Sequence, residues 1–222
     1  MTTPLPSLVI LISGRGSNME ALIHARDKGE LPARIAAVIS NRPDAKGLET
    51  ASAAGIPTAV VDHRAHPSRE AFDVALIECL DRFSPNGVLL AGFMRILTPD
   101  FVRHYEGRLI NIHPSLLPAF PGLHTHARAL AEGVRIHGCT VHFVTPELDH
   151  GPVIIQAAVP VLDNDTEDTL STRVLACEHQ VYPQAVRWFV EGRLRLEKDR
   201  VLLANAPVTP SPLISPALET LA

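Results

Sequence analysis

Five consecutive aliphatic residues, Leu8-Val9-Ile10-Leu11-Ile12, run straight into Ser13-Gly14-Arg15-Gly16-Ser17-Asn18, and no other stretch constrains the fold as tightly. A strand without polar alternation must be covered on both faces, which is the situation of a central strand in a parallel sheet. Met19, Leu22 and Ile23 then recur at helical spacing as far as Gly29, so the unit reads as strand, glycine turn and helix.

The alternation continues. Ile35 to Ile39 reads as a strand, followed by a short helix ending near Gly55, a strand from Thr58 to Val61, a helix from Ser68 to Phe83 and a strand at Val88 to Leu90. Thr98-Pro99-Asp100 has the N-cap, N1 proline and first-turn acid of a helix start, and Leu109 to Ile112 forms the next strand. A short helix at Ala127 to Ala131, strands at Cys139 to Val144 and Val153 to Val159, and a long helix opened by Asp165 to Asp168 follow. Leu170, Val174, Val181 and Phe189 are expected to face inwards on that helix, and Pro183 to bend it. Residues 145 to 151 are too few for a crossover helix, so the strands they join are expected to be antiparallel. Arg193 to Glu197 and Arg200 to Leu203 suit a terminal hairpin. The expected class is α/β: a Rossmann-like, mostly parallel but mixed sheet with helices on both faces. One domain is expected over residues 1–204, divided into halves 8–90 and 91–204, with 205–222 a proline-rich tail.

Composition excludes several classes of function. At 222 residues and 46% apolar content the chain can bury a sizeable core, while a formal charge of −4 and a pI near 6.2 leave no basic footprint for nucleic acid. Cys79, Cys139 and Cys177 are too widely spaced for zinc or redox motifs and read as reduced, buried thiols. The run from Leu8 to Ile12 is too short for a signal peptide or membrane span, so a cytoplasmic protein is expected.

Four stretches carry polar groups suited to chemistry. In Gly14-Arg15-Gly16-Ser17-Asn18-Met19, Met19 occupies the third-glycine position of the dinucleotide fingerprint, which counts against a nicotinamide oxidoreductase. A helix N-terminus able to hold one phosphate through free N–H groups and the Ser17 hydroxyl survives, beside the alternative of a purely conformational turn. In Asn111-Ile112-His113-Pro114, alternate residues of an extended chain share a face, so an amide and an imidazole converge where the strand ends. They suit attack on a carbonyl, with Asn111 donating to an oxyanion and His113 donating there or passing a proton; a strand-end pair satisfied by backbone is the alternative. Asp149, in Leu148-Asp149-His150-Gly151-Pro152, is expected near the same sheet edge, where its carboxylate would orient His113 and raise its pKa. Thr140 and His142 share a strand face as further support or as ordinary buried groups. His124 and His126 lack the accompanying pattern of a metal site, and no metal is expected. Ala91-Gly92-Phe93-Met94-Arg95-Ile96-Leu97 is too apolar for a simple solvated loop and reads as core packing or as a slot for a flat heteroaromatic ring.

Together with Asn111-Ile112-His113-Pro114-Ser115-Leu116-Leu117-Pro118, these stretches resemble the phosphoribosylglycinamide formyltransferases, in order, from Leu8 to Leu196. The Asn-x-His-Pro-Ser-Leu-Leu-Pro run is shared by folate-dependent formyltransferases generally, while Gly122-Leu123-His124-Thr125-His126 and Gly16 point to the ribonucleotide branch. The resemblance implies the formyltransferase fold and transfer of a formyl group from the co-substrate 10-formyltetrahydrofolate to glycinamide ribonucleotide, without a metal, in purine synthesis. It implies Asn111, His113 and Asp149 as the catalytic set, with His113 the proton donor. It places Gly16, Ser17, Asn18 and Glu178 on the acceptor, and Arg69, Met94, Arg95, Ile96, Leu97, Asn111 and Thr145-Pro146-Glu147-Leu148-Asp149 on the folate. The implied partners are those two small molecules, with neither nucleic acid nor membrane, and a homodimer is allowed. Leu175 stands where some members have glutamine and His150 where glycine is common. A sibling that hydrolyses the formyl donor or formylates initiator tRNA and a non-catalytic nucleotide sensor are the remaining rivals.

Overall fold

A computed structural model describes residues 4–206 and 215–216. The tail expected over 205–222 therefore lies almost wholly outside the described residues. Seven strands form one sheet in the order β3-β2-β1-β4-β5-β6-β7, where β1 is Ser7–Ile12, β2 Arg34–Ser40, β3 Thr58–Val60, β4 Gly87–Leu90, β5 Leu109–His113, β6 Ile136–Phe143 and β7 Val153–Pro160. All pairs from β3 to β5 are parallel, and β5-β6 and β6-β7 are antiparallel, so the sheet is mixed as expected. A separate hairpin joins β8, Leu194–Glu197, to β9, Arg200–Leu203.

The aliphatic run of β1 explains the layering. Leu8, Ile10 and Ile12 enter one core with Met19 and Leu22 of α1 (Ser17–Asp27) and with Tyr182 and Val186 of α6 (Glu167–Val190). Val9 and Leu11 enter the opposite core with Phe72 and Leu76 of α3 (Arg69–Asp81), with Phe101 of α4 (Pro99–His104) and with Tyr105 at its end. Each of these side chains is completely or almost completely withdrawn from water, contributing roughly 1.5–3 kcal/mol apiece for the larger ones. The remaining helices are α2, Gly47–Ala53, and α5, Thr125–Ala131.

Three of the helix starts are capped by side chains. Ser68 accepts from Ala71 N, Thr98 from Phe101 N, and Thr166 from Thr169 N in a reciprocal box. Three expectations need correction. Strand β5 includes His113, because Pro114 interrupts the ladder only after it; β6 begins at Ile136 rather than Cys139, and α5 at Thr125 rather than Ala127. On α6 Leu170, Val174, Val181 and Phe189 face inwards as expected, the last two at the margin of a buried face that also holds Tyr182, Ala185 and Val186, and the helix continues through Pro183 to Val190. Among the described residues no helix is long and apolar enough to cross a membrane.

Candidate active site

The chain runs from β1 outward to β3 and returns to place β4 on the other side of β1. Such a reversal opens a crevice at the carboxyl ends of the strands, where open α/β sheets bind ligands. A cleft of about 400 Å³ lies there, lined by the glycine turn from Ser13 to Asn18, by Asn41, Arg42 and His63, and by Ala91, Gly92, Met94 and Arg95.

The glycine turn is built as the first cap of α1. Gly16 has φ 77°, a left-handed conformation that glycine adopts without penalty, and a side chain there would press on Met19 Cε at 3.2 Å. Met19 is fully buried beneath the turn, so the fingerprint's third glycine is replaced by a packing residue. Asn18 is also buried; its Nδ2 donates to Glu178 Oε2 at 2.7 Å, joining two residues 160 positions apart that were both expected on the acceptor side, while its Oδ1 has no partner. Burial pushes the Glu178 carboxyl up, and the Asn18 hydrogen bond opposes that shift.

Ser13 and Asn41 escaped the sequence reading. Ser13 Oγ donates to Asn41 Oδ1 at 2.6 Å and accepts from Met94 N at 2.7 Å, tying the ends of β1 and β2 to the Met94 loop. A polar residue directly after each buried parallel strand was the available signal. Arg15, Arg42, His63 and Arg95 line the cleft too, although Arg42 is paired with Asp44 at 2.6 Å. Arg95 Nε is buried and has no hydrogen-bond partner.

Asn111 and His113 stand next to this cleft, because Asn111 pairs in register with Leu90, the residue before Ala91. Across the antiparallel junction Asn111 faces His142 and His113 faces Thr140. Each cross-strand pair has a defined task. His142 Nδ1–H donates to Phe143 O at 2.9 Å, which leaves Nε2 to accept from Asn111 Nδ2 at 3.2 Å. Burial pushes the His142 imidazole pKa down, keeping the ring neutral for that role. One N–H of the Asn111 amide is thus committed, and its second N–H is free for a ligand. Thr140 instead braces the loop after β5: its Oγ1 donates to Ser115 O at 2.7 Å and accepts from Leu117 N at 3.0 Å and Gln156 Nε2 at 2.9 Å.

His113 is buried between two oxygen acceptors. Its Nε2 donates to Phe120 O at 3.1 Å and its Nδ1 lies 3.5 Å from Asp149 Oδ2, so a proton on either nitrogen has a partner. Asp149, at φ 51°, also accepts from Gly122 N at 2.8 Å. The expected trio is therefore brought together. On the expected folate side, Met94 and Arg95 reach the cleft, and Met94, 69% exposed, leaves an apolar surface at its mouth. Ile96 and Leu148 are also exposed, whereas Leu97 is half-buried against the α3 core. Arg69 lies exposed in the first turn of α3, and Pro146 and Glu147 are exposed; these and Thr145, whose Oγ1 donates to Glu147 O at 3.3 Å, do not line the cleft. Among the described residues no group of three or more His, Cys, Asp or Glu is placed to hold a metal ion.

Behind His113 the rings of His126 and His137 meet edge to face at 5.3 Å. Burial pushes both imidazoles down, His137 to about 4 from an ordinary 6.5. The native protein then stays neutral at His137 where the unfolded chain takes up a proton, so this group's contribution to stability is complete above pH 6.5 and is lost as pH falls towards 4. The urea midpoint is expected to be lower at pH 5 than at pH 7.5, with His137→Gln flattening the dependence; equal midpoints in the unaltered protein would contradict it.

Fold, cleft and paired strand-end groups together define a transferase of the formyl transferase family, to which the chain belongs: that family matches residues 7–186. Phosphoribosylglycinamide formyltransferase of Escherichia coli is 51% identical over 204 residues, covering 92% of this chain and 96% of that protein. The crystal structure of glycinamide ribonucleotide transformylase 1 from Symbiobacterium toebii superposes with a TM-score of 0.89 at 49% identity, covering 90% of this chain and 95% of that one. A formyltetrahydrofolate deformylase from Pseudomonas syringae pv. tomato shares the fold at 28% identity and a TM-score of 0.85, over 91% of this chain and 67% of its own.

Proposed function

We propose that this chain transfers the formyl group of 10-formyltetrahydrofolate to the amine of glycinamide ribonucleotide, giving N-formylglycinamide ribonucleotide and tetrahydrofolate. The observation that carries the reading is the placement of Asn111 and His113 on one face of β5, beside a cleft built on a helix-capping glycine turn. The turn offers free N–H groups and the Ser17 hydroxyl to the acceptor's phosphate. Asn18 and Glu178 present a buried, partly unsatisfied polar pair to its sugar and amine side. The exposed apolar Met94 and Ile96 and the unpartnered Arg95 Nε suit the flat ring and anionic tail of the folate. Half 8–90 thus serves mainly the ribonucleotide and half 91–204 the folate.

When bound, the folate supplies an activated formyl carbon for the acceptor's neutral amine. Asn111 donates its second amide N–H to the negative charge that develops on the formyl oxygen. His113 exchanges its 3.1 Å bond to Phe120 O, long for a charge-assisted contact, for that same oxygen. Asp149 faces Nδ1 of that ring at 3.5 Å and orients it, while the proton lost by the attacking amine passes to the departing folate nitrogen. Holding two substrates in one geometry supplies the rest of the acceleration.

Hydrolysis of the same donor is the second reading, because the deformylase shares the fold. Tetrahydrofolate release, followed with and without glycinamide ribonucleotide, separates the two. Release that requires the acceptor is the expected result; release without it assigns a hydrolase, and none in either case removes both.

A further inference from the structure

Both outer supports of His113 come from one short loop. Phe120 O accepts from its Nε2, and Gly122 N–H fixes the Asp149 carboxylate that faces its Nδ1. This loop is not at rest in a conformation of its own choosing. Phe120 and His124 have φ of 53° and 57°, left-handed values that are uncommon for side-chain-bearing residues and need support from their surroundings. The holding group is Arg128, projecting from α5. Its Nη1 donates to Pro121 O at 2.6 Å and lies 3.5 Å from Leu123 O, and its guanidinium carbon sits 5.6 Å from the centre of the Phe120 ring. The His137 ring meets the same phenyl edge to face at 5.7 Å.

We propose that Arg128 is a positioning residue for the formyl transfer: by clamping residues 120–123 it sets the Phe120 carbonyl and the Gly122 N–H, and through them the orientation of His113. The inference deepens the function proposed above and rests on it. Arg128 itself makes no bond to His113 or Asp149 and does not line the substrate cleft. Its effect must therefore fall on the chemical step rather than on binding. A planar guanidinium can bond carbonyls in its plane while its face covers a ring; a lysine ammonium keeps a point charge and a donor but not the flat face.

The test uses the full chain with Arg128→Ala and Arg128→Lys. In the alanine variant kcat is expected to fall by about tenfold, within what a small misplacement of a reacting group costs, with KM for both substrates within about twofold of the parent. The imidazole nitrogen resonances of His113 are expected to shift in the same variant, and Arg128→Lys to recover part of both changes. Unmoved His113 resonances with unaltered kcat would overturn the proposal. So would a rise in KM alone, or a loss of activity that merely tracks loss of folded protein. The resonances are read without turnover, so a failure of the formyl-transfer reading is distinguished from a failure of the clamp.

Discussion

Replacing either His113 or Asp149 with alanine is expected to lower kcat by about a hundredfold or more, the usual loss when a general acid or an oxyanion donor is removed. The two variants act on one unit. His113→Ala removes the ring itself, while Asp149→Ala leaves the ring with only Phe120 O and strips Gly122 N–H of its acceptor. Combining them is expected to cost little more than either alone, because groups that act together are not additive. Asp149→Asn refines the result: its amide oxygen still accepts from Gly122 N–H, but the negative charge facing Nδ1 is gone. A loss close to that of alanine assigns Asp149 an electrostatic role, and near-complete activity would assign it only to the loop. Steady-state turnover, with thermal melts to check that each variant folds, measures all four proteins; near-parent turnover in both alanine variants would remove the catalytic assignment.

The central strand, the glycine turn and the Asn111–His113 pair were legible because each rests on local rules: unbroken apolar sequence, helix capping and the two-residue period of an extended chain. The antiparallel β6-β7 junction was legible from loop length alone. What escaped depends on register, which periodicity does not encode. Thr140 and His142 share a strand face, yet the pairing of β5 with β6 gives Thr140 to the proline-bracketed loop and His142 to the Asn111 amide. Glu178 was named from the family resemblance, but its bond to Asn18 was not foreseen. Helical spacing puts it on the buried face of α6, but only the distant Asn18 makes a carboxyl there tolerable. Ser13 and Asn41 each stood after a buried strand, but their partnership spans two strands and could not be read from either alone.

Gly151→Ala is expected to reduce kcat by about a hundredfold although the residue carries no functional group. At the bulge between Val141 and His142 the loop after Asp149 is drawn against the end of β6, with Phe143 N donating to Pro152 O at 3.0 Å. A methyl group at position 151 would collide with the Phe143 carbonyl oxygen and come within 3.3 Å of His142 Nδ1. Those two atoms are the acceptor and donor of the bond that fixes the His142 tautomer. Moving the carbonyl frees the ring to turn, Nε2 ceases to hold the Asn111 amide, and the oxyanion loses an aligned donor, a loss of roughly 10²–10³ in rate. The backbone shift also costs about 1–3 kcal/mol of stability, as overpacking of a tight contact does. Activity and stability alone would leave the route of the effect open, so the decisive measurement is a double-mutant cycle with His142→Ala. If the glycine acts through the imidazole, adding Gly151→Ala to His142→Ala lowers kcat little further. Fully additive losses would place the damage elsewhere, in the Asp149 loop that the same glycine ends.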